Sequence, residues 1–233
     1  MYVAAYVRGV PVSSRRHLRN HSPSPSRTQE ERRARTQTRL LDATMECLVE
    51  LGWSGTSTTE VASRAGVSRG AQQHHYPTKI VLVEAALEHL LERQRLAYEQ
   101  AFAILPPERR NVEGAIDLLW NVFRQPPALA LLELAVAART DDELKPLCID
   151  VNERILQVIV ETFGRLFPQT ALPEDFADSM LRGVFALLVG LSLQNVLDHD
   201  AHGHQAAVLA HIKSIARILV PNPQPAPGEG SLP

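Results

Sequence analysis

The chain has 233 residues, 45% of them hydrophobic, 21% charged and only 5% aromatic; that suits one large or two small domains, and with Ala and Leu abundant an all-α fold is expected. The formal net charge of −2 hides an asymmetry: residues 1–79 hold 12 Lys and Arg against 6 Asp and Glu, whereas residues 80–233 hold 12 against 20, so a front able to approach phosphate precedes a back that should avoid it. No apolar run approaches the eighteen residues of a membrane span, and the two cysteines, Cys47 and Cys148, sit in apolar helical patterns as buried small hydrophobes rather than as a disulfide.

Residues 1–27 carry five arginines, no acids and the tract SPSPS, the composition of a disordered basic arm. Such an arm can lie along phosphates or in a minor groove, or serve only as an unstructured leader. Met1–Val12 lacks the basic n-region of a signal peptide, so a cytoplasmic protein without a membrane partner is expected. Thr28–Leu51 is expected to be the first helix, with Leu40, Leu41, Met45, Leu48 and Leu51 recurring at three- and four-residue steps. Arg32, Arg33, Arg35 and Arg39 crowd its first half, where cations oppose the helix dipole. An external anion, or Glu30 and Glu31, must then balance them. Gly52-Trp53-Ser54-Gly55 ends the helix, with Trp53 expected to pack on the helical core and to have no stacking role.

The stretch from Thr56 to Lys79 predicts a helix, a tight turn and a second helix. Ser57 or Thr58 can cap the first, and Ser57 has Glu60 at the capping-box spacing. Val61, Ala62 and Ala65 form a small apolar face, and Gly66 supplies the left-handed residue of a sharp reversal. Ser68 then caps Arg69–His75. That arrangement is a helix-turn-helix, whose second helix enters a DNA major groove. The second helix is too polar to be stable alone: Arg69 can bond guanine and Gln73 adenine, while Gly70 and Ala71 let the backbone approach the groove floor. His74 and His75 read as a phosphate-contacting pair. Pro77 breaks the helix, Thr78 caps the next, and Lys79 lies at an N-terminus suited to phosphate.

The run Gly66-Val67-Ser68-Arg69-Gly70-Ala71 followed by His74-His75-Tyr76-Pro77-Thr78-Lys79 resembles the DNA-binding signature of TetR-type transcriptional regulators, over residues 28–79. The resemblance implies a three-helix DNA-binding domain, with Thr58, Ser68, Arg69, Gly70, Ala71, Gln73, His74, His75 and Lys79 at the double-stranded DNA. Gln72 stands where the family usually has Leu, Gln73 where it usually has Tyr, and Tyr76 where it usually has Phe. The operator sequence therefore does not transfer from better-known relatives.

The helix opened by Thr78 should continue to about Leu105 and link the two domains. Beyond Pro106-Pro107, helices are expected over Asn111–Arg124, from Pro126-Pro127 to Arg139, and from Asp141 to Phe167. Two more follow at Pro173–Leu197 and Gln205–Val220. The expected organisation is a basic arm (1–27), a helix-turn-helix domain (28–79), a helical effector-binding and dimerisation domain (80–220) and a disordered tail (221–233). Met180, Val184, Leu187 and Leu191, with Ile212, Ile215 and Leu219, offer more apolar surface than one chain should bury. A four-helix interface in a homodimer would cover it, as the resemblance also implies.

Two recognition helices in a dimer read a palindrome, and a ligand that alters their separation alters affinity. The middle helices could enclose such a small-molecule effector. Trp120, Phe123, Glu133, Asn152, Gln157, Gln194 and Asn195 are candidate lining residues, with core packing or solvent exposure as the alternatives. A mostly apolar lining favours a hydrophobic effector. The run Asp198-His199-Asp200-Ala201-His202-Gly203-His204 holds metal-ligand types, but closely spaced histidines in a loop usually face water, and no metal or cofactor is assigned. The chain has no P-loop, dinucleotide glycine motif, HExxH, GxSxG or CxxC, so the enzyme class finds no spacing in its favour. A repressor is the expected function, with a helical scaffold or an enzyme as the alternative.

Overall fold

In the computed structural model, which describes residues 29–170, 172–198 and 203–220, every regular element is helical. α1 (Gln29–Gly55) outruns its expected end because Gly52, at φ 65° and ψ −173°, breaks the regular helix and starts a separate last turn. Thr56 closes that turn, donating to the Gly52 carbonyl from its N–H (3.1 Å) and its hydroxyl (2.7 Å). Ser57 is the cap of α2 (Thr58–Ala65), accepting from the Glu60 N–H at 3.2 Å, and Thr58 is the first helical residue. The Glu60 carboxylate instead faces Arg64 at 3.8 Å, and Arg64 also pairs with Glu50 of α1 at 2.7 Å.

Gly66 ends α2 in the left-handed region, at φ 59° and ψ 42°. The Gly66 N–H donates to the Ser63 carbonyl (3.0 Å) and the Val67 N–H to the Ala62 carbonyl (2.9 Å), which closes a Schellman motif. An added Cβ would be strained by the backbone and would lie 2.6 Å from Arg39 Nη2, which donates to the Gly66 carbonyl at 3.1 Å. Gly66→Ala is expected to cost about 1–2 kcal/mol of stability, read as a lower urea midpoint at unchanged slope. An unchanged midpoint would contradict this account of the turn.

Ser68 caps α3 (Arg69–His75) by accepting from the Ala71 N–H, and Thr78 caps α4 (Lys79–Ala103) by accepting from the Val81 N–H, both at 3.2 Å. A 3-10 turn, Pro107–Arg109, leads to α5 (Val112–Phe123), whose cap Asn111 accepts from the Gly114 N–H at 2.9 Å. Proline opens α6 (Pro126–Ala137), where its missing N–H costs nothing. α7 (Leu144–Leu166) starts later than expected because the Asp141 carboxylate stays outside the helix, accepting from the N–H groups of Glu143 (3.1 Å) and Leu144 (2.9 Å). α8 (Glu174–Asp198) and α9 (His204–Leu219) complete the described chain.

Two apolar cores result. The first joins α1, α2 and α4 to α6 and α7 around Leu40, Leu48, Val61, Leu82, Leu134 and Leu144. The second gathers α5, α8 and α9 around Val112, Ile116, Leu188, Leu191 and Leu209. The near end of α4 lies in the first. At its far end Phe102 stacks edge-to-face on Phe167, which packs against the second. α7 runs parallel to α4: Arg154 pairs with Glu88, and Arg165 with Glu99 (2.7 Å), each 66 residues apart. Sequence reasoning missed one property of α8. Its Asp175–Val196 segment has the length and apolarity of a membrane span, yet most of it is not buried within the chain.

Candidate nucleic-acid interface and an apolar cavity

α3 turns Arg69, Gly70, Gln73 and His74 to solvent and Gln72 inward, the division that 3.6 residues per turn dictates. The side chains of Arg69 and Gln73 make no hydrogen bond or ion pair with any other described residue. Their donors and acceptors are free for a ligand. Gln72 is 2% exposed, and its Nε2 donates to the Tyr76 carbonyl at 2.7 Å while the Tyr76 N–H donates back to the Gln72 carbonyl at 2.8 Å. An amide thus fills an inward position by closing the end of its own helix. The exposed guanidinium groups of α1 extend the basic surface: Arg39 reaches the turn before α3, and Arg33 lies close enough to its other end to act on His75.

Two expected phosphate contacts are placed otherwise. His75 is half-buried, and its Nδ1 is buried without a partner among the described residues. Burial holds its imidazole below the ordinary range, and the charges of Arg33 and His74 push the same way. Only His74 of the pair lies on the open face. Lys79 is turned back onto Trp53: its ammonium donates to the Trp53 carbonyl and sits 3.6 Å from the centre of the indole ring. Burial lowers the lysine's pKa, opposed by the Asp141 carboxylate.

Trp53 therefore does more than pack. Its indole N–H donates to Asp141 Oδ2 at 3.0 Å, and its backbone N–H donates to Glu133 Oε1 at 3.2 Å. Glu133 lies so close to Gly52 that a side chain there would displace it, so Gly52 serves a contact between helices as well as a turn. This junction ties the end of α1 to α6 and to the turn before α7. The Leu144 N–H, and after it the Trp53 indole, hold the Asp141 carboxylate below its ordinary range. Its contribution to stability is full above the unfolded-state pKa of about 3.9 and is lost as pH falls through the lower folded-state value. Wild type should exceed Asp141→Asn in urea stability at pH 7, and the gap should close on acidification toward pH 3. Parallel stability curves would remove this role.

A cavity of about 530 Å³, open on one side, lies where the two cores meet, between α4, α5, α6, α7, α8 and α9, walled by side chains such as Ile116, Phe123, Ile155, Phe163, Val184 and Phe185. Of the expected lining residues, Phe123 and Asn152 are there. Trp120 is buried in the second core and does not line the cavity, and Glu133 belongs to the Trp53 junction. Gln157 lies on the outer side of α7, bonded to Glu161 at 2.8 Å, and Gln194 and Asn195 do not reach the wall. Sequence reasoning missed Gln94 and Tyr98 because it treated α4 as a linker. Their i, i+4 spacing beside Leu87 and Leu91 was the available signal.

The expected interface residues divide as well. Leu191 is buried in the chain's own core, whereas Met180, Val184, Ile212 and Leu219 are partly buried along the cavity. Leu187 and Ile215 are exposed at its margin, Ile215 at 59%. Phe176, Leu193, Val196 and Ile218 are exposed too, Ile218 at 79%. Among the described residues no three His, Cys, Asp or Glu side chains gather as a metal site. Residues 199–202 of the histidine-rich run, the basic arm (1–27) and the tail (221–233) lie outside the described residues.

Comparison with known proteins agrees with the geometry of α1–α4. Residues 40–86 match the family profile of bacterial regulatory proteins, tetR family. The chain is 32% identical to the HTH-type transcriptional regulator CymR of Pseudomonas putida over 174 residues, 75% of this chain and 86% of that one. It is 31% identical to an uncharacterized HTH-type transcriptional regulator of Mycobacterium tuberculosis over 176 residues, 76% and 86% of the two chains. Among solved structures, a transcriptional regulator from Rhodococcus superimposes with a TM-score of 0.61 at 25% identity, covering 78% of this chain and 96% of that one.

Proposed function

Because the chain belongs to the tetR family of bacterial regulatory proteins and is a DNA-binding transcriptional regulator, we propose that it acts in the cytoplasm as a dimeric repressor of a palindromic operator, released by a small hydrophobic effector. The observation that carries the reading is the open face of α3. The side chains of Arg69 and Gln73 stand there without structural duties, with the exposed His74 beside them, while the buried Gln72 and the capped turns hold their backbone in place. A helix that spends its inward face on anchoring and leaves its outward donors free is arranged for a partner with base edges.

The rest follows from symmetry and linkage. A second copy covering the exposed apolar residues of α8 and α9 makes a twofold pair, and a twofold pair of α3 helices fits an inverted repeat. Seated on a promoter, such a dimer excludes polymerase by occupancy alone. A ligand in the cavity touches α4 directly, and only three residues separate α4 from the end of α3. The Trp53 junction offers a second route, from α6 and α7 to the end of α1. A ligand that prefers one setting of these helices shifts the DNA-bound population by its differential affinity.

Gly70→Ala tests the reading. A Cβ at Gly70 meets nothing within 4 Å in the protein. Alanine in a helix should therefore raise stability by about 0.5–1 kcal/mol. If α3 lies in a groove, the same methyl crowds the DNA, at a cost of about 1–3 kcal/mol by analogy with an overpacked core. The expected result is a variant with an equal or higher melting temperature and weaker operator binding. Operator affinity equal to wild type would mean that α3 does not approach DNA closely.

A further inference from the structure

The cavity's polar groups are nearly all committed within the protein, and the pattern of what remains limits what can bind. The Tyr98 hydroxyl donates to the Ala115 carbonyl at 2.9 Å, and burial pushes its pKa up. The Ser192 hydroxyl is held by the carbonyls of Phe123 (2.8 Å) and Leu188 (2.9 Å), and Cys148 Sγ by that of Leu134 (3.5 Å). The Thr162 hydroxyl accepts from Arg165 at 3.0 Å. Arg95 is the cation of the wall, and it is answered twice. Its Nε and Nη2 donate to Glu92 at 2.8 and 2.7 Å, and its Nη1 donates to both oxygens of Glu99 at 3.0 Å. Glu99 is shared with Arg165, so these charges balance.

Two neutral side-chain amides are left, Gln94, half-buried on α4, and Asn152, on α7 at the solvent-open edge of the cavity, neither amide with a hydrogen-bond partner among the described residues. The parallel pairing of α4 and α7, offset by 66 residues, sets Asn152 level with Ala86. Gln94 is eight residues further along, roughly 12 Å at the helical rise. An amide can bond a hydroxyl, carbonyl or amide, but it cannot neutralise an ion. A carboxylate or ammonium drawn into the apolar interior of this cavity would give up part of its water there and gain no opposite charge, which is unfavourable.

Resting on the reading of this cavity as the effector site, we propose that it selects uncharged ligands: a hydrocarbon body with a neutral hydrogen-bonding group met by Gln94 or Asn152, with carboxylates and ammonium ions rejected. The test uses the full-length protein at pH 8 and diphenylhexatriene, a hydrocarbon dye with no polar atoms, whose fluorescence rises on burial. 1-Octanol, octanoate and octylammonium, equal in chain length, then compete for the dye's site. Octanol should displace the dye at a concentration about tenfold or more below either ion. Asn152→Leu or Gln94→Leu should weaken octanol by roughly two- to tenfold while the dye binds as before, which also shows that the variant cavity is intact. Asn152→Lys or Gln94→Arg should bring octanoate into competition. Octanoate or octylammonium displacing the dye as well as octanol from the wild type would overturn the charge selection and leave the cavity standing as a binding site. Failure of the dye to bind at all would overturn the cavity reading, and this inference with it.

Discussion

Arg69→Ala is expected to remove about 1–3 kcal/mol of specific DNA affinity, roughly five- to 150-fold, while binding to random DNA and the melting temperature change little. Each part follows from the structure. The guanidinium is exposed on α3 and pairs with no other described residue, so its loss costs the fold nothing visible. It lies one residue after the cap Ser68, at the end of α3 that enters a groove first. Gln73→Ala, one turn further along the same face, should behave alike for a different base. Titration of a selected operator and of random duplex with both variants reads the ratio. Unchanged sequence preference in Arg69→Ala would mean that another surface reads the DNA.

The largest effect is expected from Ile215→Asp combined with Ile218→Asp. Both side chains are largely exposed in the chain, so two carboxylates there leave its own core intact. In a dimer they would face each other across an apolar contact without partners. Light scattering should report a monomer, and circular dichroism wild-type helicity. Full-operator affinity should fall by about a hundredfold or more, because tethering two half-site contacts multiplies affinity on that scale, while half-site binding remains. A dimer of normal operator affinity would place the interface elsewhere.

What could be read from the chain depended on how local the determinant was. The helix-turn-helix was largely legible, because its boundaries are fixed by determinants a few positions away: Ser68 on the Ala71 N–H, Thr78 on the Val81 N–H and Gly66 in its left-handed turn, with the first cap left between Ser57 and Thr58 until Ser57 proved to hold the Glu60 N–H. Gln72 looked out of place, and the structure shows the reason it is tolerated: its amide is satisfied by the next turn's carbonyl. Contacts between elements were not legible. Nothing within a few residues of Trp53 announces Asp141, 88 positions on, or the cation of Lys79 on its ring.

The cavity and the α8–α9 surface failed in a different way. α8 is apolar almost all round, so periodicity does not say which side meets its own core and which side is left bare. Leu191 and Leu187 belong to the same sequence stripe, yet one is buried and the other exposed. On α7 the polar Asn152 and Gln157 look alike in sequence. They are five residues apart, and only Asn152 reaches the cavity.

The central claim is that α3 reads a DNA sequence from a twofold pair. Selection of sites from a random duplex library by the full-length protein, followed by titration of the winning site over a series of salt concentrations, tests it most directly. The account predicts an enriched inverted repeat with half-sites one helical turn or a multiple apart, bound with an affinity that falls steeply as salt rises. Enrichment of no common sequence, or of a single unrepeated site bound by a monomer, would contradict it.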